Sequence, residues 1–336
     1  MHAYRAPRWT LGVGALGGNL QTIWPALWSR RFHGPAPRYL RERWPTPDGD
    51  FIDLDWQRSD TAVPPAARRL LVLFHGLEGS SASHYAQAFA DAARRRGWDY
   101  VVPHFRGCSG ELNLAPRAYH SGDHEEIGWI LQRLRERHPA AAGPLLAVGI
   151  SLGGNALLRW AEEAGNSAAA TAQAVAAVSS PIDLAAGGRA IGRGFNRQVY
   201  TRMFLRSMRP KALQKLAQHP RLFSRERLLA ARDLYDFDNV FTAPLHGFRD
   251  TDDYWHRGSA RPHLHRIRIP ALVLNALNDP FVPAASLPRP HEVGRHVRLW
   301  QPAHGGHVGF PGGGWPGHVF TLPAAVMDWL DAPDLP

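Results

Sequence analysis

The chain has 336 residues, 44% hydrophobic and 20% charged, with 39 Lys or Arg against 29 Asp or Glu. That composition suffices for one large core and excludes a disordered chain. No run approaches the roughly 20 apolar residues of a membrane-spanning helix, and the single cysteine, Cys108, excludes an internal disulfide.

The net charge of +10 is unevenly spread. Between Leu184 and Arg227 stand eleven Lys or Arg residues and a single acid, Glu226, so this stretch alone accounts for the whole excess. No nucleic-acid-binding module accompanies it, so no nucleic-acid partner is expected.

In chain order, residues 1–40 read as irregular and aromatic, with Trp9, Trp24 and Trp28. Arg5 and Arg8 precede a short, Gly-rich apolar run, Leu11–Gly17, with no small-x-small cleavage site, so it is not read as a signal peptide. Arg41–Trp44 and Phe51–Trp56 alternate on either side of Pro47-Asp-Gly-Asp50 and predict a β-hairpin.

From residue 69 the pattern changes. Leu70–Phe74 is a continuous apolar run, as a strand buried on both faces requires. Further strands are expected at 100–105, 144–148, 174–178, 271–275 and 297–300. Helices are expected at about 83–96, 123–137, 152–163 and 323–330. Strands alternating with helices imply βαβ units and a mainly parallel sheet. The alternation lapses between about 184 and 265, too long for a bare loop. Helical pieces at 195–208 and 211–218 make it a cap insertion. The expected organisation is a core of 1–183 and 266–336 with a cap of 184–265.

Gly149-Ile-Ser151-Leu-Gly153 follows a predicted buried strand and opens a predicted helix. That is the context of a nucleophile elbow, and the expected fold class is therefore the α/β-hydrolase fold. A serine hydroxyl needs a base to take its proton, and in this fold the order is Ser, acid, His. Asp279 lies just past one late strand and His307 just past the last. Asp183 is the rival acid and His304 the rival histidine, expected instead to pack or hydrogen-bond nearby. The backbone N–H groups of Leu77 and Leu152 are the expected oxyanion-hole donors. His75 is read as structural and Cys108 as a small buried hydrophobe. No H-E-x-x-H or paired-cysteine pattern occurs, so no metal or cofactor is expected.

Several longer stretches make the reading more specific. They include Asn19–Pro25, Leu73–Ser80, His104–Gly110, Tyr119–Gly122, Gly149–Asn155, Asn278–Phe281 and His304–Phe310. In these the chain resembles the YheT-type branch of the α/β-hydrolases. The resemblance implies a triad at Ser151, Asp279 and His307, and a structural loop around Cys108. Asn278 departs from it, since relatives often carry a second Asp there. The resemblance also implies acyl esters as substrates: short- to medium-chain esters, acylglycerols or phospholipids.

The expected activity is thus ester hydrolysis through an acyl-enzyme. Acyl transfer to an alcohol is the alternative, and a non-enzymatic binding protein is the last resort. The expected partner is a small-molecule or lipid ester. The expected location is the cytoplasm; the basic cap is read first as a solvated face of surface helices, with peripheral contact to an anionic membrane as the alternative.

Overall fold

A computed structural model describes residues 4–11, 15–59, 68–137 and 143–335. Residues 12–14 of the Leu11–Gly17 run lie outside the described residues.

Eight strands form one sheet in the order β1-β2-β4-β3-β5-β6-β7-β8. They are β1 (Leu40–Pro45), β2 (Phe51–Gln57), β3 (Leu70–Phe74), β4 (Asp99–Pro103), β5 (Leu145–Ile150), β6 (Ala174–Val178), β7 (Ala271–Leu274) and β8 (Val297–Trp300). β1 and β2 pair antiparallel, as do β2 and β4, and the other neighbours are parallel.

Strand β3 shows why its sequence is apolar without alternation. Leu70, Val72 and Phe74 enter the core layer beneath one face of the sheet, whereas Leu71 and Leu73 enter the layer on the other. The first layer is completed by helices α3 (His124–Arg137) and α4 (Leu152–Ala164). The second is completed by α2 (His84–Arg96) and the final helix (Thr321–Asp331).

The expected hairpin forms, with Leu40 opposite Trp56 and Pro45 opposite Phe51. Its turn places Gly49 at φ +76°, a conformation that glycine adopts without steric cost. The polar face of β2 is not exposed to water, however. Asp53 and Asp55 are buried, and the guanidinium groups of Arg43 and Arg41 cover them from β1 at 2.7 and 2.8 Å.

Two readings are corrected. Residues 1–40 are not all irregular, because Ala15–Leu27 forms helix α1. Gly17, Gly18 and Pro25 lower its helical propensity, and tight packing on the rest of the molecule overrides them. The two helical pieces expected at 195–208 and 211–218 are also not separate. A π-helical turn, Arg197–Thr201, leads into one helix, α6 (Arg202–Gln218), that runs through Pro210.

The stretch between β6 and β7 is helical. It contains α5 (Leu184–Ile191), α6, α7 (Arg225–Ala230), α8 (Leu234–Val240) and α9 (Thr251–Gly258). Its own apolar cluster includes Leu205, Ala212, Leu228 and Phe237. The final helix is α10. Among the described residues, no helix is long and apolar enough to cross a membrane.

Candidate active site

Ser151 sits between β5 and α4 at φ 52°, ψ −117°. A non-glycine residue held there is strained, and such strain concentrates at functional sites. The surroundings enforce it. A Cβ on Gly149 would lie 2.4 Å from the Gly153 carbonyl oxygen, and one on Gly153 would lie 2.5 Å from that of His75. Only glycine permits strand, turn and helix to approach this closely.

The loops after β7 and β8 bring the other two groups to this serine. His307 Nε2 lies 3.0 Å from Ser151 Oγ. His307 Nδ1 lies 2.9 Å from Asp279 Oδ2 and 3.2 Å from Oδ1. Asp279 is held in turn by the backbone N–H groups of Phe281 and Val282, at 2.8 and 3.2 Å from Oδ1. Asp279 and His307 are both buried, and the Phe281 ring packs on the imidazole at 4.2 Å between centroids. The three groups form one hydrogen-bonded chain ending at a strained serine.

The rival residues lie elsewhere. Asp183 caps α5, accepting the Ala186 N–H at 3.0 Å. His304 is exposed rather than packed, and the buried stretch begins one residue later at Gly305.

Leu77 and Leu152 line one cavity together with Ser151. Among the described residues, neither amide N–H has a protein backbone acceptor. A Cβ on Gly76 would stand 3.2 Å from Ser151 Cβ, so the Leu77 loop passes directly against the serine. His75 anchors the start of that loop. Its Nε2 accepts the Phe105 N–H at 3.1 Å and its Nδ1 is 2.8 Å from the Gly76 carbonyl oxygen. Burial pushes its pKa down to about 3, so the ring is neutral, with the proton on Nδ1.

Glu78, at φ 57°, continues the loop and is gripped from two sides. Tyr119 Oη accepts the Glu78 N–H at 2.9 Å and donates to Glu78 Oε1 at 2.8 Å. Lys211 Nζ, from α6, is 2.8 Å from Glu78 Oε2. One ion pair therefore joins the helical insertion to the loop that carries the Leu77 amide. Lys215, on the same helix, is also turned inward and donates to the Asn113 and Ala115 carbonyls. Part of the insertion's positive charge therefore does not face solvent. Cys108 is half-buried against the core, and burial pushes its thiol up to about 12, so it stays protonated.

The cavity holds about 1080 Å³ of empty space, open solvent included. Its walls are mainly apolar. Ile191, Phe204, Met208, Phe237 and Trp255 come from the insertion, and Phe281 from the core.

Helix α1 supplies positioning groups that the sequence reading did not assign. Thr22 Oγ1 accepts the N–H of His307 itself at 2.9 Å. Gln21 Oε1 accepts the Gly305 N–H at 2.8 Å and the Asn278 side-chain N–H at 2.9 Å. Asn278 Oδ1 accepts the Gly306 N–H at 3.0 Å. The amide of Asn278 thus serves both as donor and as acceptor, linking the Asp279 loop to the His307 loop. The signal available was the stretch Asn19–Pro25, singled out by resemblance but given no role.

Residues 69–313 match the family model described as "alpha/beta hydrolase fold". The chain belongs to the α/β-hydrolase family. This hydrolase is 40% identical over 314 residues to the Escherichia coli (strain K12) protein named "Putative esterase YheT", spanning 93% of this chain and 89% of that one. It is 28% identical to mouse "Phospholipase ABHD3" over 327 residues, 93% of this chain and 79% of that protein. It is 26% identical to the Saccharomyces cerevisiae "Monoacylglycerol lipase" over 253 residues, 73% of this chain and 55% of that protein. Among solved structures, the Pyrococcus furiosus esterase Pf2001 aligns with a TM-score of 0.53 at 16% identity. The alignment covers 90% of this chain and 94% of that one, a likeness of fold.

Proposed function

We propose that this hydrolase is a serine esterase that cleaves carboxylic esters through an acyl-enzyme. The observation that carries the proposal is the chain Asp279–His307–Ser151, ending at the mouth of an apolar cavity. In the proposed reaction, Ser151 Oγ attacks the acyl carbon while His307 Nε2 takes its proton. Asp279 keeps the imidazole in the tautomer with the proton on Nδ1 and stabilises the cation that forms. The developing oxyanion is received by the Leu77 and Leu152 N–H groups. His307 then protonates the departing alcohol and afterwards activates the water that releases the acid.

The insertion, residues 184–265, acts in this reading as a cap whose apolar side chains hold the acyl chain. The relatives are named as an esterase, a phospholipase and a monoacylglycerol lipase, and these names support an acyl ester as the substrate class. Fluorophosphonate labelling tests the proposal. The wild type should be labelled and Ser151→Ala should not; labelling that survives the substitution overturns it. A series of p-nitrophenyl esters, with an acylglycerol and a phospholipid, then defines the acyl length. Products formed with added alcohols separate hydrolysis from acyl transfer.

A further inference from the structure

The solvent side of α1 is apolar, the reverse of an ordinary surface helix. Leu16, Leu20, Trp24, Leu27 and Trp28 fall on one face at spacings of three and four residues. Leu16 is 68% exposed, Leu27 58% and Trp28 55%. Around them the structure assembles further tryptophans. Trp24 meets Trp9, Trp28 and Trp315 at ring-centroid distances of 5.8, 4.7 and 6.2 Å. Trp315, on the loop after β8, is 72% exposed. The indole N–H groups of Trp9 and Trp24 donate to the Gly313 and Pro316 carbonyls, so that loop is fixed against the helix. An apolar patch of this kind on a folded chain marks a binding surface.

Charge indicates the occupant. The first 40 residues contain five arginines (Arg5, Arg8, Arg30, Arg31 and Arg38) and no Asp or Glu. Tryptophan and leucine beside arginine without acids is the chemistry of an anionic lipid–water interface, where indoles lie at headgroup depth and guanidinium groups meet phosphates. Helix α1 itself touches the arginine-rich part of the insertion, since Tyr200 Oη donates to Asn19 Oδ1 at 2.7 Å.

We infer that α1, with Trp315, docks this hydrolase on anionic phospholipid bilayers by shallow insertion of its Leu and Trp side chains. The buried side of the same helix holds His307 through Thr22 and the His307 loop through Gln21. The docking face and the catalytic base therefore share one rigid element. Ester delivered from the lipid surface meets a site whose geometry is fixed by the docked helix.

Vesicle co-sedimentation and tryptophan quenching by brominated phosphatidylcholine test the inference, independently of whether Ser151 is the nucleophile. The wild type should bind phosphatidylcholine vesicles containing phosphatidylglycerol, with quenching. The variant carrying L27S, W28S and W315S should bind about ten-fold less or weaker. Its activity on a water-soluble ester and its unfolding transition should match the wild type, showing that the fold is intact. Four results overturn the inference. One is wild-type binding that does not exceed binding to uncharged vesicles. A second is undiminished binding by the variant. A third is loss of binding in R202E/R206E but not in the tryptophan variant. The last is a concentration-dependent dimer that the variant abolishes, with no vesicle binding.

Discussion

Thr22 Oγ1 accepts the backbone N–H of His307 at 2.9 Å, across 285 residues of chain. The hydrogen bond fixes the peptide from which the imidazole projects, and both partners are buried. Thr22→Val keeps the shape of the side chain but leaves that N–H without an acceptor. A buried donor left unpaired costs about 1–3 kcal/mol. Part of the loss should appear as misplacement of His307, the proposed base. We expect kcat to fall roughly ten-fold or more with KM little changed, because a displaced base weakens the transition state and not substrate binding. Thr22→Ser should restore most of the rate. Steady-state kinetics on a soluble ester checks both.

The hydrogen-bonded chain of Asp279, His307 and Ser151 makes a sharper prediction. Asp279→Asn preserves size but can present an amide N–H to Nδ1, favouring the wrong tautomer. By analogy with such carboxylates elsewhere, kcat should fall on the order of 10⁴-fold. Stability should change far less, which thermal unfolding would show. A loss of rate below ten-fold would return the role of acid to another carboxylate.

How much of this was legible beforehand depends on whether a contact is local in sequence. The parallel strands were legible because burial on both faces removes alternation, as in Leu70–Phe74. The elbow was legible because its glycines sit at fixed spacing around Ser151. Asp279 and His307 were legible because fold order puts them just past late strands. Helix α1 was not, since Gly17, Gly18 and Pro25 argue against a helix and only tertiary contacts override them. Nor could a linear pattern show that Thr22 and Gln21 reach His307 and Gly305. Nor could alternation alone show that Asp53 and Asp55 are buried, because the arginines that cover them lie on a different strand.

Gly153 tests how tightly the elbow is built. A Cβ there would lie 2.5 Å from the His75 carbonyl oxygen and 2.6 Å from that of Phe74. Both are backbone atoms of β3 and the turn after it, so neither can swing away. Gly153→Ala should therefore destabilise the protein by more than about 3 kcal/mol, an overpacking loss at the top of the usual range. Denaturant unfolding measures it. The Leu77 loop follows directly from His75, so residual folded protein should also be less active than its folded fraction predicts.

His75 offers a test in pH. Its folded pKa is pushed down to about 3 by burial, with repulsion from His104 a lesser cause, whereas an unfolded His titrates near 6.5. Between these values the unfolded chain binds a proton that the folded chain does not. By linkage, stability then rises with pH, so His75 removes stability as pH falls below about 6.5 toward 3. The slope from one such group is about 1.4 kcal/mol per pH unit. His75→Gln cannot titrate, so its stability profile should be shallower than the wild type's by that amount between about pH 6 and 4. Above pH 7 the two profiles should run parallel, separated only by the cost of altering the bonds to Gly76 and Phe105. Urea unfolding across this range reads both quantities, and equal slopes below pH 6 would show that His75 is solvated or already charged in the folded protein.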